Sequence, residues 1–247
     1  MAEKILFVFE GEKTEQTITD SFLECFISNP DRVVISSYKT DIYALYKDIK
    51  EDEELDAFAV VLERNKSLSG YTRDSFSQMF LFFDYDGHAP AAKDHKINDL
   101  LEFFNEETDR GRLFISYPMV ESLKCIDSFE DVKGFCDLTY KISDGSSFKH
   151  FVSGYANKDL IHFNLYNKEK WNNVVRMHCI KASYISDGCL RFPVSPIEQN
   201  EIFKIQSDKY IKTIGEVATL SSFPLFLLSY FGHSGLFAMV SGGQVKA

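Results

Sequence analysis

Two apolar runs that stop abruptly at carboxylates followed by glycine constrain this chain more than anything else in it. Residues 4–12 read KILFVFEGE and residues 78–88 read QMFLFFDYDGH. A continuous branched and aromatic run bounded in this way is a strand buried on both faces, as in parallel sheets covered by helices. Residues 5–9 and 79–83 are therefore expected to be neighbouring parallel strands. Ligands of open parallel sheets collect at the carboxyl ends of the strands, which brings Glu10, Asp84 and Asp86 to one crevice. The period of two points Asp84 and Asp86 to the same side, provided that the extended backbone continues through Tyr85. Three carboxylates in one crevice repel each other and take up protons unless a cation neutralises them. An all-oxygen donor set with no His or Cys array suits magnesium or manganese.

The surrounding pattern extends the sheet. Residues 32–38 (RVVISSY) and 111–117 (GRLFISY) are two further strand-like runs. Helical spacing fills the gaps between strands. One helix starts from Thr14 as its N-cap and runs to residue 27 with Ile18, Phe22, Cys25 and Phe26 inward; another covers 41–50 with Ile42, Leu45 and Ile49 inward. Residues 53–64 form a third, residues 66–77 a polar connection, and residues 94–108 a fourth helix with Ile97, Leu100, Leu101 and Phe104 inward. Pro118 is placed in the first turn of a following helix, where a missing N–H is tolerated. This alternation predicts an α/β fold over residues 1–126, a mostly parallel sheet flanked by helices.

Residues 127–247 have a different texture and are read as a mainly helical accessory, substrate-binding or dimerisation region. Residues 127–166 show no clean period. A helix is expected over 168–184, with Trp171, Val174, Val175, His178 and Ala182 on one face, and another over 197–210. An apolar helix over 219–231, with Pro224 near its start, is read as core or as the seam of a homodimer. The tail beyond Gly232 is expected to fray.

Composition excludes several classes. The five cysteines (Cys25, Cys125, Cys136, Cys179 and Cys189) are odd in number and never spaced CxxC, which argues for buried thiols and against a disulfide framework or a zinc site. The 23 phenylalanines fall mostly inside periodic segments and are assigned to core packing. No signal peptide is read at the start, and residues 217–231 are short for a bilayer span and contain Pro224, so a cytoplasmic protein without membrane contact is expected. Lys13-Thr14 does not make a phosphate loop, because Glu12 stands where GxxxxGK[ST] needs its second glycine. Residues 1–126 carry 25 acidic against 14 basic side chains and residues 127–247 carry 12 against 13, so only the second half suits a polyanion. Lys149, Lys158, Lys168, Lys170, Arg176 and Lys181, with Trp171 and Tyr184, either grip a nucleic acid or form the solvated face of helices.

Phe9-Glu10-Gly11-Glu12-Lys13-Thr14-Glu15, Phe83-Asp84-Tyr85-Asp86 and Tyr117-Pro118-Met119-Val120-Glu121 stand in this order, each at a strand end. With the framework between them they resemble the TOPRIM domain of topoisomerases, primases and OLD-type nucleases, and more particularly the TOPRIM-like proteins of bacterial phage defence, the RloB-like and AriB-like proteins. The resemblance covers about the first half of the chain. It implies that Glu10 is a metal ligand or general acid/base, that Asp84 and Asp86 hold magnesium, and that Glu121 completes this or a second metal site. It further implies a lysine near the scissile phosphate, for which Lys93, Lys96 and Lys124 are candidates. The implied activity is a magnesium-dependent nuclease of antiviral defence, cutting RNA (transfer RNA included) or DNA and held in check by an inhibitory partner or an inactive assembly. The alternative is a non-catalytic module that binds a partner ATPase; a primase-like or topoisomerase-like enzyme lacks a recognisable DNA-handling domain.

The chemistry of such a set stands apart from the name. A phosphodiester transition state gathers charge on its oxygens, and magnesium held by carboxylates polarises the phosphate and activates water. Each residue also has a plainer use: Glu10, Asp84 and Asp86 as helix caps, Glu121 as a first-turn acid favoured by the helix dipole, His88 as an exposed loop histidine rather than a phosphate or metal contact.

Overall fold

The computed structural model describes residues 4–52 and 54–241. Four parallel strands, β1 (Lys4–Phe9), β2 (Val33–Ser37), β3 (Phe76–Asp84) and β5 (Gly111–Ser116), join a two-residue antiparallel edge, β4 (Asn105–Glu106), in one sheet of order β2-β1-β3-β5-β4. Leu6 pairs with Met79 and Phe7 with Phe80, so the two runs that end in carboxylates are hydrogen-bonded parallel neighbours, as expected. A second, two-stranded sheet pairs β6 (Thr139–Lys141) with β7 (Glu216–Ala218). The helices are α1 (Lys13–Phe26), α2 (Ile42–Glu51), α3 (Ala57–Arg64), α4 (Asp94–Phe103), α5 (Val132–Asp137), α6 (Phe148–Tyr155), α7 (Lys168–Asp187), α8 (Gln199–Ile205), the one-turn α9 (Lys212–Ile214) and α10 (Ser222–Val240).

Strand alternation divides the sheet into two faces. Phe7, Phe9, Phe80, Phe82 and Phe114 share one of them, with Phe9 stacked on Phe82 at 5.0 Å and Phe82 on Phe114 at 5.8 Å. The start of α10 covers this layer. Phe226 lies 4.9 Å from Phe80, 5.2 Å from Phe7 and 5.4 Å from Phe82, and Phe223 stacks on Phe82 at 5.2 Å. Phe22 of α1 closes the edge of the layer against Phe223, at 5.5 Å. On the opposite face Tyr38 packs on Phe83 at 5.6 Å, and α2, α3 and α4 close over it. Most of the phenylalanines are accounted for by this core, and all five cysteines are free thiols, three of them buried.

One hydrophobic cluster runs from Ile5 to Val240 and includes Ile126, so the core continues across the change of texture at residue 126. Helix α7 lies inside it. Trp171 is fully buried against Phe22, Phe26 and Tyr166, and its Nε1 donates to Ser21 Oγ at 3.1 Å. A smaller satellite cluster gathers Met119, Cys125, Phe148, Val152 and Ala156.

Several boundaries differ from the sequence expectation. The fourth helix stops at Phe103, because the chain turns at Phe104 to add β4 to the sheet edge. Thr14 lies inside α1, whose N-cap is Glu12. Pro118 does not open an α-helix: it follows a cis peptide and leads into a 3-10 turn, Val120–Lys124. The helix expected over 197–210 is α8 followed by a π-helical turn, Gln206–Ile211. Helix α10 does not fray at Gly232 but breaks there, at φ 66 and ψ 172, and resumes to Val240; Gly242 and Gly243 of the tail lie outside the described residues. By length and composition α10 is apolar enough to cross a membrane, with mean hydropathy 1.4; its first part, Ser222 through Leu228, is buried in the core, and 44% of the apolar window is buried in all.

Candidate acidic site at the sheet rim

The sheet ladder carries two of the acids to its rim. The Glu10 N–H donates to Phe82 O at 3.1 Å, and the Asp84 N–H donates to Glu10 Oε2, also at 3.1 Å. Asp86 arrives differently. Tyr85 N–H still donates to Ser116 O at 3.0 Å, but Asp86 N–H donates to Pro118 O at 3.2 Å and its backbone is left-handed, φ 43. The expected extension through Tyr85 therefore fails at Asp86, a conformation that residues other than glycine adopt at a cost. The Tyr85 ring is buried just before the turn. It packs 5.6 Å from Tyr117, its Oη donates to Asp94 Oδ1 at 3.3 Å, and its carbonyl accepts from Tyr43 Oη at 2.8 Å.

Glu121 enters from the 3-10 turn after β5. Met119 and Cys125 at the ends of this turn join the satellite cluster, while Val120, Leu123 and Ile126 join the main core. Wedged between the two, Glu121 is only 5% exposed. Its Oε1 lies 3.3 Å from Lys149 Nζ on α6, and its Oε2 is buried with no hydrogen-bond partner. The turn is anchored from below by fully buried His178. Ser221 N–H donates to His178 Nδ1 at 3.2 Å, which leaves the Nε2 hydrogen for Leu123 O, also at 3.2 Å. Burial pushes this imidazole down to about 3, so it is neutral and holds that tautomer.

The acids repel one another. Burial and the charge of Asp86 raise the Glu10 carboxyl to about 8, although the Asp84 N–H favours its ionised form. Burial, then Glu10, Asp86 and Glu121, raise Asp84 well above the usual carboxylate range. Burial also raises Asp86, with His88 and Lys149 opposing. Asp41 caps α2 through its Oδ1 and adds its charge to the field at Glu10. Beside Glu10 the rim opens into a cleft of about 450 Å³, bounded by Lys13, Glu15, Lys39 and Asp41. Among the described residues, no three His, Cys, Asp or Glu side chains converge to hold one metal ion, so the expected trio of Glu10, Asp84 and Asp86 does not form a closed protein cage.

Of the candidate lysines, Lys124 is the one whose charge acts on Glu121 of this set. Its Nζ donates to Ile161 O at 3.2 Å and sits 4.8 Å from the centre of the Phe163 ring, and burial lowers it, with Glu121 opposing. Lys96 is turned to Ala91 O and the rings of Tyr43 and Tyr46, and Lys93 stands before α4 without capping it. The lysine that touches an acid of the site is Lys149, which the sequence placed only within a basic stretch. Its one signal there was local charge. Within that stretch Trp171 and Lys181 are fully buried, Lys168 donates to Cys25 O and Lys170 to Asp159 O, while Lys158 and Arg176 are exposed. Lys181 donates to Phe135 O, Leu138 O and Thr219 Oγ1, so its charge serves the core. His88 is an exposed loop residue, its ring against Gly145 and its Nδ1 3.9 Å from Asp86 Oδ1.

Comparisons with family models, with curated proteins and with solved structures find no match to this chain.

Proposed function

We propose that this chain is a divalent-cation-dependent nuclease with its site at the rim formed by Glu10, Asp84, Asp86 and Glu121, acting on RNA or DNA as an effector of antiviral defence. The observation that carries the reading is Glu121, a buried carboxylate with an unpartnered Oε2, whose charge reaches Asp84, an acid that burial and then its acidic neighbours raise well above the usual range. The donor set is oxygen only and anionic, which fits magnesium or manganese. One or two of the carboxylates of Glu10, Asp84, Asp86 and Glu121 would hold the ion. The open arrangement suits magnesium, which keeps several of its waters and takes one or two carboxylates. When bound, such an ion neutralises charge on phosphate oxygens and acidifies water.

The chain supplies the remaining chemistry. Until a cation arrives, Glu10 keeps a proton up to about pH 8 and so limits the charge packed into the rim. The Lys149 ammonium, 67% exposed at its side chain, is free to turn from Glu121 to a phosphate oxygen. Lys124, tied to Ile161 O, adds fixed positive potential beside Glu121. The defence role, and RNA such as transfer RNA as the substrate, are supported by the resemblance of the three motifs alone.

The test is incubation of purified protein, and of Glu10→Ala, with total RNA and with plasmid DNA, each with magnesium or EDTA. Cleavage that needs both the metal and Glu10 is expected. The lack of a closed three-donor set favours one other reading, a non-catalytic module that binds a partner such as an ATPase. Full cellular activity in the double variant Asp84→Ala, Asp86→Ala would select it.

A further inference from the structure

The ion pair between Lys149 and Glu121 joins unequal partners. The lysine side chain is 67% exposed and the glutamate side chain 7%. Glu121 Oε1 takes the ammonium at 3.3 Å, while Oε2 is buried without a partner. Lys149 is the second residue of α6, and Phe148 and Val152 of the same helix pack with Met119 and Cys125, which flank the Glu121 turn. Helix and turn thus form one packed unit that holds the ammonium at the mouth of the crevice. The same ammonium feels Asp84 and Glu15, so it faces the acid set and not Glu121 alone. Lys124, the other lysine near Glu121, is occupied by Ile161 O.

A buried carboxylate is costly without a counter-charge, and here the counter-charge comes from a flexible side chain that reaches in from solvent. We infer that Lys149 is a tethered stand-in for the divalent cation: a metal ion binds Glu121 in competition with the ammonium and releases it toward the substrate phosphate. Lys149 then sets the affinity of the site for metal and is withheld from substrate until the metal has bound. The inference rests on the cation-binding reading proposed above.

Titration of the whole chain with Mn2+, read by the electron paramagnetic resonance of the free ion, tests the competition. Lys149→Met is expected to bind Mn2+ about fivefold more tightly than wild type, the scale of one partly exposed ion pair. Lys149→Arg keeps the charge, and Lys13→Met removes an equal charge from the cleft rim without touching Glu121. Both are expected to stay within about twofold of wild type. Unchanged or weaker binding by Lys149→Met overturns the inference, because the ammonium then does not compete. Equal tightening by Lys13→Met overturns it too, because the general field alone has changed. The cation reading fails by a different result, and takes the inference with it: no Mn2+ binding by any variant, or binding that is indifferent to both Glu10→Gln and Glu121→Gln.

Discussion

At the scale of single residues, Glu10 and His178 show how one cause, burial, acts with opposite sign on an acid and a base. Burial, with the charge of Asp86, raises Glu10 from 4.5 to about 8, and burial lowers His178 from 6.5 to about 3. Between 4.5 and 8 the folded state keeps a proton on Glu10 that the unfolded chain has lost. Its contribution to stability is therefore full below 4.5 and is lost as the pH rises through 8. For His178 the unfolded chain takes a proton below 6.5 that the folded state refuses until about 3, so this contribution is present above 6.5 and lost as the pH falls. Each effect has a limiting slope of about 1.4 kcal/mol per pH unit in its window. Urea unfolding across both windows is expected to show Glu10→Gln with a shallower loss toward alkaline pH and His178→Gln with a shallower loss toward acid. A Glu10→Gln protein as steeply pH-dependent as wild type would mean that Glu10 does not hold its proton in the folded state.

At the scale of elements, two glycines without obstruction around them have opposite expected effects. Gly232 breaks α10 at φ 66 and ψ 172, a region that only glycine occupies readily, and an added Cβ would meet nothing within 4 Å. Gly232→Ala is therefore expected to cost about 1–3 kcal/mol from the backbone alone. Gly154 lies within α6 in equally open space and without a positive φ. Gly154→Ala is expected to stabilise by about 0.5–1 kcal/mol, as alanine does in a helix. Thermal melts of both variants check the pair, and a Gly232→Ala protein as stable as wild type would mean that α10 straightens at no cost. Helix α7 shows why the polar residues of the basic stretch do not all face solvent. Its sequence looks half polar, but Lys181 is satisfied by two carbonyls and a hydroxyl, and His178 by a carbonyl and an N–H. Polar residues satisfied in this way stay buried, whereas the sequence shows them only as polar.

At the scale of the whole molecule, Phe226 joins the halves of the chain. It contacts Phe7, Phe80, Phe82 and Phe114 across the sheet, with Phe22 of α1 at 5.9 Å. Phe226→Ala is expected to cost about 3–5 kcal/mol. Because one cluster spans both halves, the fluorescence of Trp171 and far-ultraviolet circular dichroism should report the same unfolding midpoint in wild type and variant alike. Two separate transitions would mean that the halves fold independently. The four parallel strands, the pairing of β1 with β3 and the placing of Glu10 and Asp84 at the rim were legible in the sequence, because an apolar run, its period and the carboxylate that ends it are all local, whereas β4, β6 and β7 were not legible there. The assignment of the phenylalanines to the core was legible for the same reason. Only the tertiary structure decided the left-handed turn at Asp86, the burial of Glu121 between two clusters, and the approach of Lys149 from α6. It also sent Lys181 to the interior. Each of these depends on what packs against a residue from a distant part of the chain, and whether a charge is buried, paired or left without a partner is a property of that packing.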